Sequence, residues 1–139
     1  MLFILLAAGC QSAETRSYDI TVLNRLHEPI TVFLTKTGPP DERGWLSPEQ
    51  LASLPISEDT ARAGTVIGPR NVAHIGNARG VFGADTFAVL RVYRRVGTLE
   101  DYSALSPGNP KRLDVYLHPG VNHLLIYGDN DELIAQHDP

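Results

Sequence analysis

The residues best equipped for chemistry lie in one short stretch, His118-Pro119-Gly120-Val121-Asn122-His123, which puts two imidazoles at opposite ends of a tight turn. Imidazole nitrogens bind borderline divalent metals, and Asp114 or Asp129 could add a carboxylate oxygen. The spacing belongs to no established ligand set and fixes no third ligand. No metal site is therefore assigned: His118 and His123 are the candidates for one, and two hairpin-end histidines are the simpler reading. A metal-binding protein or a hydrolytic enzyme using this pair is one alternative for function. Other catalytic signatures are missing from the sequence, which has no glycine-rich phosphate loop, no Gly-x-Ser-x-Gly and no His-Glu-x-x-His. No cofactor is implied.

Three further groups could bind rather than react. Arg91, Tyr93 and Arg95 alternate along one strand, which places them on one face with Arg94 pointing away. Such a ladder would suit an anionic partner, although paired carboxylates on a neighbouring strand are the simpler explanation. Trp45 is the only tryptophan; it could stack on a ligand, but packing a helix against a sheet accounts better for so large a side chain. The acidic run Asp129-Asn130-Asp131-Glu132 lacks the length and order of a calcium-binding EF-hand loop, and Asp41, Glu42 and Arg43 read as a solvated loop. Twelve Lys and Arg against sixteen Asp and Glu give a net charge of -4, so there is no overall basic field and no nucleic-acid partner is expected.

Cys10 is the only cysteine, which excludes an intramolecular disulfide and a cysteine-based zinc site. Leu2 to Leu6 are apolar, Ala7, Ala8 and Gly9 are small, and Gln11 to Glu14 turn polar. The apolar run falls well short of the roughly 20 residues a transmembrane helix needs. Its length and order match the apolar region of a signal peptide with a small-residue cleavage site.

Leu6-Ala7-Ala8-Gly9-Cys10 resembles the lipobox of bacterial lipoproteins. The resemblance implies that residues 1–9 are a signal peptide and that Cys10 receives a diacylglyceryl group. It further implies that Cys10 becomes the first residue of the mature chain, with its amino group acylated as well, by palmitate or a similar chain. Two or more buried acyl chains anchor stably where one binds marginally. Gln11 in place of Asp after the cysteine implies placement in the bacterial cell envelope at the outer membrane or its periplasmic face. The partners implied are the membrane, through the anchor, and another envelope protein or polymer.

Residues 10–16 then read as lipidated terminus and tether, and residues 17–139 as one domain, a size that one core can support. Tyr18, Ile20 and Val22 alternate with Asp19, Thr21 and Leu23, Ile30, Val32 and Leu34 alternate with Thr31, Phe33 and Thr35, and the NRLHEP turn between them suggests a hairpin. Ser47-Pro48-Glu49-Gln50 starts a short helix that ends before Pro55. Residues 65–67 and 71–75 are short strand candidates, residues 76–83 are turn-rich, and 85–95 is the strongest strand. Residues 112–118 and 122–127 flank Pro119-Gly120-Val121 as a second hairpin, and 133–136 adds an edge strand.

The sum is an all-β fold: an antiparallel β-sandwich of about seven or eight short strands with one short helix. Its general form resembles the small sandwich domains of bacterial envelope lipoproteins. The leading expectation is a membrane-tethered, non-catalytic binding or assembly module, with a purely structural envelope protein as a further alternative.

Overall fold

A computed structural model of the chain describes residues 13–55, 64–129 and 131–138. Strands β1 (Glu14–Asn24), β2 (Ile30–Lys36), β3 (Thr65–Ile67), β4 (Val72–Phe82), β5 (Ala88–Tyr93), β6 (Arg112–Tyr116), β7 (Gly120–Asp129) and β8 (Glu132–His137) form two four-stranded sheets. The first has the order β4-β1-β7-β8 and the second β3-β2-β5-β6. Two short helices, α1 (Pro48–Ala52) and α2 (Leu99–Ser103), complete the described elements. The chain is thus all-β, as its period-two alternation requires.

Alternation decides which side chains go inward. Tyr18, Ile20 and Val22 of β1, Ile30 and Val32 of β2, Leu90 and Val92 of β5, and Leu124 and Ile126 of β7 all belong to one buried cluster, so both sheets contribute to the same core. The other face of the second sheet is not left to solvent. Phe33 and Tyr93 project from it into a smaller buried cluster with Tyr102 of α2, against which Leu51 of α1 and Leu99 of α2 pack.

Both expected hairpins are absent. β1 and β2 lie in different sheets, as do β6 and β7, and β7 instead pairs with β1 in parallel. The all-antiparallel expectation therefore fails at this one pairing, while the remaining pairings are antiparallel. A buried asparagine governs each crossing. The Asn24 amide donates to the carbonyls of Glu28, Ile67 and Gly68 at 2.9, 3.1 and 3.0 Å and accepts from the Leu26 N–H at 2.9 Å. The Asn122 amide donates to the His118 carbonyl at 2.8 Å, and its oxygen accepts from the His118 N–H at 3.2 Å. These bonds satisfy backbone groups of each connection, Leu26 and Glu28 after β1 and His118 after β6, and tie the first to the end of β3.

Four further expectations are corrected. Residues 76–82 continue β4. Gly80 keeps the strand clear of the Trp45 indole, since a Cβ there would stand 2.7 Å from Nε1. The strongest strand is shorter than residues 85–95, because β5 ends at Tyr93 and Arg95 adopts φ 121° beyond it. A second helix, α2, occupies the segment expected to be a loop; its N-cap Thr98 and Asp101 bond reciprocally across the first turn. The first strand also starts earlier than Ser17, at Glu14, where it pairs with Phe82.

Helix α1 has the expected start. The Ser47 hydroxyl accepts from the Gln50 N–H at 3.2 Å, and the Gln50 side chain accepts from the Ser47 N–H at 2.8 Å. Ser47→Ala removes one half of this box and is expected to cost about 1 kcal/mol, read as a lower urea midpoint with an unchanged slope. An unchanged midpoint would show that the cap contributes nothing.

Candidate functional site

The basic and aromatic ladder is drawn into the packing beneath the helices. Arg91 donates through one guanidinium nitrogen to both Glu49 oxygens, at 2.7 and 2.9 Å, and to the Tyr93 hydroxyl at 3.2 Å. Glu49 lies on α1, so this contact fastens the helix to the sheet. Burial works against the Arg91 charge, but the bonds to Tyr93 and Glu49 outweigh it and hold its pKa above the ordinary value. Burial raises the Tyr93 phenol, with Arg91 opposing. The next strand contributes Arg112, whose guanidinium meets both oxygens of Asp114 at 2.9 and 3.0 Å and the Leu105 carbonyl at 2.8 Å. Arg94 pairs with Glu28 at 3.0 Å. Arg95 is exposed, and its carbonyl accepts from the Thr31 hydroxyl at 3.0 Å.

Trp45 is 4% exposed, with its ring edge-on to Tyr18 and Phe82 at centroid distances of 5.6 and 5.1 Å and its N–H donating to the Arg79 carbonyl at 2.9 Å. It packs onto β1 and β4. Beside it lies an arrangement that sequence reasoning missed. The Lys36 side chain is only 3% exposed, and its ammonium donates to Glu42 Oε1, the Val81 carbonyl and the Pro40 carbonyl at 2.7, 2.6 and 2.9 Å. The three donors of the ammonium thus have three acceptors. Glu42 also accepts from the Val81 N–H at 2.9 Å. The Lys36 hydrogen bond, followed by that of Val81, holds the Glu42 carboxyl below its ordinary pKa. The only sequence signal was a lysine ending a strand just before a Pro-Pro turn and an acidic loop.

The two histidines are placed apart in role. His118 is exposed, and its ring stacks on His137 with centroids 6.1 Å apart and 29° between planes. His123 is exposed on β7, opposite Thr21 of β1. Asp114 is held by Arg112, and Asp129 ends β7 opposite Glu132. Among the described residues no three His, Cys, Asp or Glu side chains gather closely enough to hold a metal ion. Cys10 and Asn130 lie outside the described residues.

Among the described residues a groove of about 940 Å³ runs along α1. β3 pairs, among the described residues, with Ile30–Val32 of β2. Phe33 and Leu34 of β2 line the groove together with Leu46, Leu51 and Leu54. Asp41, Arg43 and Gln50 add polar groups to the lining. Apolar walls with a few polar groups can take up an extended apolar segment. No protein-family model matches the chain, and no curated protein or solved structure matches it.

Proposed function

We propose that this chain is a membrane-tethered envelope lipoprotein whose domain, a β-sandwich, acts as a non-catalytic binding or assembly module. The observation that carries the reading is Leu6-Ala7-Ala8-Gly9-Cys10 followed closely by ordered strand: β1 begins at Glu14, four residues after the cysteine. A lipid on Cys10 would hold the domain against the membrane surface, where a weakly binding groove gains from the raised local concentration of surface partners. The single core cluster drawn from both sheets supports the sandwich arrangement. The buried ionisable groups suit a scaffold, since Lys36, Arg91 and Arg112 are each committed to bonds that tie one element to another or brace a strand. The partner that fits is another envelope component, a protein or polymer with an extended apolar stretch for the groove beside α1.

Detergent phase separation of cells expressing the full chain tests the tether. The wild type should enter the detergent phase, and Cys10→Ala should move to the aqueous phase or persist as an unprocessed precursor. Equal partitioning of the two proteins at the same apparent mass would remove the basis of the reading.

A further inference from the structure

One end of the domain is fixed by the place where β1 begins. Glu14 pairs with Phe82, the 83–87 loop then leads into β5, and β6 ends at Tyr116 opposite Val89. The first residues of β1, the 83–87 loop and the end of β6 therefore lie at the same end. Arg16 ties them together, because its guanidinium donates to the Thr86 carbonyl at 2.9 Å. Two large apolar side chains are exposed there, Phe87 at 49% and Tyr116 at 59%, with ring centroids 6.3 Å apart.

Neither ring sits on a loose segment. The Phe87 N–H donates to the Thr37 hydroxyl at 2.9 Å, and its carbonyl accepts from the Thr37 N–H at 3.0 Å. Tyr116 is in register with Val89, and the next residue, Leu117, donates to the Ala88 carbonyl at 3.0 Å. The backbone thus holds two aromatic rings about half exposed to solvent. Paired exposed aromatics of this kind mark a contact surface. Phenylalanine and tyrosine are also suited to a membrane interface, where the rings enter the headgroup region and the phenol stays hydrated.

We propose that Phe87 and Tyr116 rest on the bilayer surface and set the orientation of the domain on its membrane. This rests on the lipoprotein reading, which supplies the occupant. Four residue steps separate Cys10 from Glu14, and four steps of fully extended chain reach about 14 Å. A lipid on Cys10 therefore brings the end bearing Phe87 and Tyr116 to the headgroups, and directs Val72, exposed at the far end of β4, away from them.

The test uses the full lipidated protein in phosphatidylethanolamine and phosphatidylglycerol vesicles. With Cys10 acylated, a cysteine introduced at one position is the single free thiol and can carry an environment-sensitive fluorophore. Tyr116→Cys and, as a second variant, Phe87→Cys should give blue-shifted emission that is mostly quenched by nitroxide-labelled lipid, while Val72→Cys stays hydrated and unquenched. If mass spectrometry shows lipid on Cys10 but positions 87 and 116 are as unquenched as 72, the orientation is wrong and the anchor stands. A blue shift without lipid quenching, with cross-linked dimers, would make the patch a contact between copies and also overturn it. If the mass shows no lipid on Cys10, the anchor reading fails and the orientation falls with it.

Discussion

Trp45→Ala is expected to lower the stability of the domain by about 3–5 kcal/mol, the usual cost of truncating a buried tryptophan. The indole is 4% exposed and packs edge-on against Tyr18 and Phe82 from β1 and β4. Its loss leaves a cavity in the first sheet's share of the core and removes the hydrogen bond to the Arg79 carbonyl. Gly80 shows how closely the site is filled, because even a methyl group there would collide with the indole. Since small domains are stable by only about 5–15 kcal/mol, the variant should unfold at a much lower urea concentration. A loss below about 1 kcal/mol would mean that the aromatic cluster collapses to fill the space and that Trp45 does not hold the 37–46 loop to the sheet.

Lys36→Met should be the next most damaging change. It keeps the aliphatic stem but removes an ammonium that links the end of β2 to Glu42, Pro40 and Val81. Breaking a buried pair costs about 3–5 kcal/mol. Because Glu42 is 32% exposed and can be rehydrated, the expected loss is nearer about 2–3 kcal/mol. The pH dependence gives a sharper signature. Glu42 has a depressed folded-state pKa, so its contribution is present above the unfolded value of about 4.3 and is lost as pH falls through the lower folded value. Lys36 is the main cause of that depression. The stability gap between wild type and Lys36→Met should therefore be widest near neutrality and narrow below about pH 4. A gap that stays constant down to pH 2 would show that the carboxylate is not what Lys36 holds.

The sequence disclosed which side chains turn inward far better than which strands adjoin. Tyr18, Ile20 and Val22 were legible because alternation alone sets a side chain's face. The partners of β1 were not, since a turn-rich NRLHEP segment looks the same whether it closes a hairpin or turns a corner around a buried Asn24. α2 was hidden because its capping pair is Thr98 and Asp101, where the common signature has Glu or Gln. The ladder of Arg91 and Tyr93 was visible as alternation, but its burial depended on α1 and α2 packing over the second sheet, which no local pattern reveals. Lys36 was overlooked for a similar reason: a lysine is almost always exposed unless acceptors distant in sequence converge on it, and here one of them is the Val81 carbonyl.

The central claim is the tether, and the mass of the native protein tests it most directly. Protein extracted from the membrane fraction should have the mass of a chain beginning at Cys10 plus a diacylglyceryl group and an amide-linked acyl chain, with no free thiol. A chain that retains Met1 and carries an unmodified Cys10 thiol would contradict it.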